Sequence, residues 1–263
     1  MDAKYGVTSN FTADLTFNTD FAQVEADQEQ VNLSRFSLFF PEKRAFFLEG
    51  AGLFDFGVPR TSFRCPPPLL LFYSRRIGLE EGHAVPILTG GKMTGKIGAY
   101  GVGLLNVMTD EFHTDESVTE PDDIVDAPRA NYSVLRVNRD ILHGSSIGLI
   151  AINKQDADAY NRAGGLDFVY RPLDNLDVRG MWARTFEKEM SGKNNAWYLG
   201  SSWRSNVFRL EGSYMDIDEG FNPGVGFVRR TGVRQIHAET RYVPQPHKFG
   251  IRQVWFGPEV DYV

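Results

Sequence analysis

The residues most able to do chemistry in this sequence are carboxylates in close pairs. Glu25 with Asp27, or Glu42 with Glu49, could supply the acid and the base of a hydrolysis. Two further stretches imitate known motifs. Residues 90–96, GGKMTGK, match the opening of a phosphate-binding loop, but Ile97 stands where a Ser or Thr hydroxyl would hold magnesium. The following IGAYGVGLLNV reads as a strand, not as the helix whose N-terminus would receive a phosphate. Residues 144–148, GSSIG, fit a nucleophile elbow, yet a strand follows there too, so a hairpin turn is the plainer reading. His83, His113, His143, His237 and His247 lack metal-ligand spacing, and the single Cys65 excludes a cysteine zinc site. No metal and no cofactor are expected. From Asp110 to Asp126 the chain carries eight carboxylates and no Lys or Arg. Their oxygens suit calcium, but without the spacing and central Gly of an EF-hand the stretch reads as a long, solvated loop.

The elements that must position these residues are strands. Aromatics make up 13% of 263 residues and Gly contributes 26, while runs of strong helix formers are scarce, which favours an all-β chain. From about residue 129, segments of roughly ten residues alternate with short polar or Gly-containing turns. Leu176, Val178 and Trp182 alternate with Asp177, Arg179 and Met181; Trp197, Leu199 and Trp203 alternate with Tyr198, Gly200, Ser202 and Arg204. Phe208, Leu210 and Tyr214 stand against Arg209, Glu211 and Ser213, and Ile236, Ala238 and Tyr242 against Gln235, His237, Glu239 and Arg241. This period of two predicts an antiparallel up-and-down meander with strands near 131–139, 145–153, 163–171, 174–184, 194–204, 206–217, 233–243 and 251–262. The first part, 1–80, is less regular, with strands expected at 5–17, 33–40, 45–56 and 69–77. In 81–263 the regular meander opens with a hairpin of 85–96 and 97–108. One region, 1–263, is expected.

A soluble sandwich also alternates, so strand length and aromatic placement decide. Strands of about ten residues match a tilted bilayer crossing better than the usual five or six of soluble sheets. Trp182, Trp197, Trp203, Tyr214, Tyr242 and Trp255 sit near strand ends or on apolar faces, where a transmembrane barrel carries its aromatic girdles. No window approaches the 18 or more uncharged apolar residues of a membrane helix, so a crossing would be made by strands. The net charge of −6 and pI near 5.4 argue against a nucleic-acid partner. These observations predict part of a large transmembrane β-barrel, unclosed in this chain, with outer-membrane lipid and lipopolysaccharide as its surroundings. The N-terminus has neither a basic nor an apolar leader region, so an export signal is expected upstream.

NFTADLTFNTDFAQVEADQEQVNLSRFSLFFPEKRAFFLEG at 10–50, LFYSRRIGL at 71–79, GGKMTGKIGAYGVGLLNVMTD at 90–110 and FNPGVGFVRRTG at 221–232 resemble a known family, domain of unknown function 5916. In that family such motifs open an outer-membrane barrel that usually follows a carbohydrate-binding family-nine-like module. The resemblance implies location and that upstream partner, but no established chemistry. The chain stops at PEVDYV within an expected strand and is read as a fragment. Asp20, Glu25, Asp27, Asn32, Arg35, Glu42, Lys43, Arg44 and Glu49 match signature positions, and Arg75 and Arg76 belong to the second motif. Their charge density within apolar sequence suggests a polar network at the periplasmic mouth of the barrel, whose members pair with one another to fix the opening strands. The resemblance and the polar lumen together predict passage of a solute, with sugar-derived solutes the first candidates. A barrel-anchored hydrolase and a structural or secretion scaffold are the rival expectations.

Overall fold

The computed structural model describes residues 2–19, 38–58, 67–80, 83–114, 125–142, 144–188, 192–245 and 252–263. Twelve antiparallel strands form one sheet. They are β1 (Asp2–Thr8), β2 (Phe11–Thr19), β3 (Ile87–Ile97), β4 (Tyr100–Thr109), β5 (Asn131–Leu142), β6 (Ser145–Gln155), β7 (Tyr160–Leu173), β8 (Leu176–Glu187), β9 (Asn195–Arg204), β10 (Phe208–Ile217), β11 (Val233–Tyr242) and β12 (Glu259–Tyr262). Each strand pairs with the next, so the expected meander is present, and the sheet is open with β1 and β12 as its edges.

The two ends of the sheet differ. At one end the connections from β1 to β10 are tight, with 243–258 between β11 and β12 the long one there, and Gly98 (φ 60°) and Gly144 (φ 69°) take the left-handed conformation that such hairpins demand. At the other end run the long connections 20–86 and 110–130, together with 188–194 and 218–232. Residues 90–96 lie inside β3, so the phosphate-loop resemblance ends in a strand. Residues 144–148 form the turn into β6, where Ser145 Oγ accepts the Arg171 backbone N–H at 2.9 Å.

Alternation sends one set of side chains to each face. One face is covered by an inner layer made of α1 (Ala45–Leu48), the 3₁₀ turns Ala51–Phe54 and Ser74–Arg76, and a short ladder of Leu69–Leu70 with Phe227–Val228. Phe47, Phe54, Phe56, Leu69, Ile77 and Phe221 of this layer form one core with strand residues such as Val107, Val134, Ile150, Ala183 and Ile217. Small strand residues make room for it. A Cβ on Gly103 would lie 3.0 Å from the Phe54 ring, and one on Gly165 2.6 Å from the Phe56 ring, so both glycines are floor for an aromatic side chain.

Several expected strands are corrected. Residues 5–17 are two strands, β1 and β2, joined at Ser9 and Asn10, where the continuous apolar-polar alternation conceals the turn. Residues 45–56 are not a strand: 45–48 are helical and 51–54 a 3₁₀ turn, because Phe47 and Leu48 donate to the Arg44 carbonyl and Gly50 (φ 67°) turns the chain. An apolar run of this kind serves a strand or a buried turn equally well, and here Phe46, Phe47, Phe54 and Phe56 pack in different directions over the sheet. Only 69–70 of 69–77 and 259–262 of 251–262 are strand, and 38–40 is not, while 33–37 lies outside the described residues. The ends of the acidic loop pair through Phe112–His113 and Asp126–Ala127, and its centre at 115–124 lies outside the described residues.

Candidate functional site

The inner layer leaves part of the inward face uncovered. On β8 to β11 the inward positions are Asp177, Arg179, Tyr198, Ser202, Arg204, Glu211, Ser213, His237 and Glu239, read from the cross-strand register. Many of them line a polar recess of about 570 Å³ near the tight-turn end. Its charges are tied in pairs along and across strands. Asp177 accepts Arg179 Nε at 2.6 Å and Arg171 Nε at 2.8 Å, and Glu211 accepts Arg204 at 3.0 Å and the Ser202 hydroxyl at 3.2 Å. The recess therefore presents donors and acceptors of both signs without a surplus of either, a lining suited to hydroxyl-rich or zwitterionic solutes.

At the far edge of this face, pairing of β11 with β12 sets His237 opposite Asp261 and Glu239 opposite Glu259. His237 Nδ1 lies 2.7 Å from Asp261 Oδ1. His237, Glu259 and Asp261 are the only three such residues grouped among the described ones, with ligand atoms within 4.8 Å of one another. Sequence spacing conceals this, because the strands that meet are separated by a connection of 243–258. Glu259 and Asp261 are exposed, and nothing else points to an ion there.

Two buried ion pairs hold the inner layer to the sheet; none of their four side chains was expected in the polar network, although Lys92 lies in the 90–96 stretch that imitates a phosphate loop. Lys92 of β3 is ion-paired with Asp14 of β2 at 3.3 Å and donates to the carbonyls of Phe46 and, at 2.8 Å, Glu49. A cation at those carbonyls caps the short helix α1. Arg136 of β5 grips Asp167 of β7 with two bonds of 2.7 and 2.8 Å, and its Nε donates to the Asp55 carbonyl at 3.1 Å. Asp167 also accepts the Gly57 N–H at 3.2 Å. The signal available in sequence was a lone charge at an inward position of an otherwise apolar strand, in YSVLRVN and AGGLDFV.

Of the residues expected in a polar network, Glu42 and Arg44 do meet. Glu42 Oε1 accepts the Arg44 backbone N–H at 3.0 Å and Nε at 2.9 Å, while Oε2 accepts Arg44 Nη2 at 2.8 Å and the Ser74 hydroxyl at 2.7 Å. Arg44 continues to the carbonyls of Ile77 at 2.6 Å and Ser74 at 2.8 Å. The clasp joins 42–44 to 74–77 and uses the oxygens of Glu42 internally. Burial works to raise the Glu42 carboxyl, but the hydrogen bonds and charge of Arg44 and the Ser74 hydroxyl outweigh it and hold the group below its ordinary value. Glu49 is elsewhere, exposed and bonded to Lys4 of β1 at 2.6 Å, which keeps its carboxyl low as well. The supposed acid–base pair Glu42 and Glu49 thus has each member engaged with a different cation. Arg75 is buried against the Phe40 ring and the Pro41 carbonyl, and Lys43 and Arg76 are exposed. Asp20, Glu25, Asp27, Asn32 and Arg35 lie outside the described residues.

The segments that carry these contacts, 38–58 and 67–80 in the inner layer and β3 to β11 in the sheet, fall within one continuous match: residues 1–242 fit the family model described as Domain of unknown function (DUF5916). The chain belongs to that family. No curated protein and no solved structure matches it. The family carries no assigned chemistry, so the reading of the site rests on its geometry.

Proposed function

We propose that this chain is wall and inner lining of an outer-membrane β-barrel that passes or admits a solute, with sugar-derived solutes the first candidates. The observation that carries the reading is the chemistry of the outward face. Leu15, Met93, Leu104, Leu149, Leu166, Trp197, Leu199 and Ile236 all point outward by register and are all exposed. Soluble monomers rarely expose so large a contiguous apolar surface.

The boundary of this band is oblique to the strands. Asn106, Ser133, Asn153 and Arg162 share one cross-strand row; Arg184 and Asn195 lie in the next outward row along, and Asp216 and Arg234 in the one after that. A polar rim that steps across rows is what a flat membrane surface makes on tilted strands. In outer-membrane barrels the short turns face the periplasm and the long connections face outside. On that rule the Glu42–Arg44–Ser74 clasp, whose neighbour Gly78 packs on Ile87 at the long-connection end, belongs to the outer side and not to the periplasmic mouth anticipated from sequence.

The polar recess on β8 to β11 is the proposed solute path, since its serines, Tyr198 and paired charges offer hydrogen bonds to hydroxyl groups. A second reading, a plugged scaffold or anchor, is favoured by the inner layer, whose core takes residues from β3 through β11. Outer-membrane recovery of the protein followed by single-channel recording in planar bilayers separates the readings. Stable conductance supports passage; membrane recovery without conductance favours the plugged scaffold; a soluble product removes the membrane reading.

A further inference from the structure

Three exposed arginines on the outward face have no carboxylate partner among the described residues: Arg139 lies alone beside Tyr100 near the tight-turn end, whereas Arg162 of β7 and Arg184 of β8 lie together at the other rim. Each of these two is oriented through one nitrogen only. Arg162 Nε donates to Asn153 Oδ1 at 3.0 Å and its guanidinium lies 4.6 Å from the Tyr160 ring centroid; Arg184 Nε donates to Asn194 Oδ1 at 3.1 Å and its guanidinium lies 5.2 Å from the Phe186 ring centroid. The terminal guanidinium nitrogens remain to donate. Arg162 pairs with Phe186 and Arg184 with Gly164, so the two arginines are diagonal neighbours, about 7–8 Å apart at the backbone. Their Nε partners lie on opposite flanks, Asn153 on β6 and Asn194 just before β9, so the two side chains frame the surface of β7 and β8, where their terminal nitrogens can donate to a phosphate.

Carboxylates near the pair in sequence or register are engaged elsewhere: Asp218 accepts the backbone N–H and Nδ2 of Asn195. Asp156 caps its own turn by accepting the N–H groups of Asp158 and Ala159, and Glu187 faces inward to hold Asn161 and Asn222. Next to Arg162 the outward face sinks into a groove of about 850 Å³ lined by Leu15, Met93, Leu104, Leu135 and Phe186, with Arg162 at its polar margin. The small residues Gly91, Ala151 and Gly164 form its floor. An apolar trough leading to a pair of unpaired cations has the shape of an acyl chain ending in an anionic headgroup.

We propose that Arg162 and Arg184 bind a phosphate of lipopolysaccharide, with an acyl chain of the same molecule lying in the adjoining groove. The assignment rests on the membrane reading above, because the long connections place this rim in the outer leaflet. The two Asn carbonyls pre-orient the guanidinium planes, and the aromatic rings beneath them exclude water from one side. Tyr160 and Phe186 thus make the pair a site and not two solvated charges.

The test uses the complete chain refolded in detergent micelles and titrated with purified lipopolysaccharide, with inorganic phosphate and phosphatidylethanolamine as comparisons, read by native mass spectrometry. The expected result is retention of lipopolysaccharide that weakens about tenfold in R162Q/R184Q and is largely restored in R162K/R184K, with phosphatidylethanolamine unchanged. Equal retention by the unaltered chain and R162Q/R184Q overturns the site, and so does binding of inorganic phosphate as tightly as the lipid. Tryptophan quenching by brominated lipid in parallel tells the two failures apart: quenched protein without discrimination sinks this site alone, whereas unquenched protein sinks the membrane reading with it.

Discussion

Arg136 and Asp167 sit on strands that are not neighbours, and they meet over Gly148 of the strand between them. A Cβ at Gly148 would press on the Arg136 guanidinium and lie 2.5 Å from Asp167 Oδ1. The missing side chain is the gap through which the pair closes. Once closed, the pair holds the Asp55 carbonyl and the Gly57 N–H, and so pins the inner layer to the sheet.

Gly148→Val should therefore split the pair without touching either partner. Breaking a buried pair and leaving its charges unmatched costs about 3–5 kcal/mol. The loss should appear as a lower urea midpoint followed by tryptophan fluorescence, and Arg136→Met should match it. An unchanged midpoint in both variants would show that the pair does not anchor the layer.

The Glu42 clasp predicts an acid-sensitive inner layer. The folded group titrates below the 4.5 of a free glutamate, so its contribution is complete above pH 4.5 and is lost as pH falls through the lower folded value. Hydrogen exchange in 42–44 and 74–77 should rise over that acid window before the strands open. Glu42→Gln should exchange quickly there at neutral pH and show little further change on acidification.

Phe54 resting on Gly103 predicts a size-dependent lock. Gly103→Val should overpack the contact and destabilise the fold by about 1–3 kcal/mol. Adding Phe54→Ala should restore part of that loss in the same unfolding assay, since the Phe54 ring supplies the nearest atoms. Additive destabilisation by the two changes would count against the lock.

The outward band predicts an unusual cost for a surface charge. Leu166, 53% exposed, would tolerate Arg in a soluble protein within about 0.5 kcal/mol. Facing lipid near mid-bilayer, Leu166→Arg should cost about 2–4 kcal/mol, measured by reversible unfolding from phospholipid vesicles. A near-zero change would place this face in water.

Much of the sheet was legible because a strand carries its own record of which way it faces. Asp177 and Arg179 against Val178 and Trp182 announce two faces, and the register in β8 to β11 bears that division out. The hairpin of β3 and β4 was legible too, as two runs at 85–96 and 97–108, with the turn itself falling at Gly98 and Ala99. Residues 45–56 were not, because four phenylalanines among small residues fit a buried strand as well as a folded inner layer. Only the glycine floor of Gly103 and Gly165, set by distant strands, separates the two outcomes.

By itself, then, the sequence determined the all-β class, the antiparallel order and the in–out alternation, since these follow from local periodicity and turn residues. It also marked Glu42, Arg44 and their neighbours as a charged cluster. Which charges become partners was decided by tertiary structure alone. Arg136 reaches Asp167 one inward row along, across Gly148, and His237 stands directly opposite Asp261, only because strand register sets those heights, and register is a property of the whole sheet. The inner layer follows the same logic, because α1 has only four residues and takes its place from Lys92 and the surface that receives it.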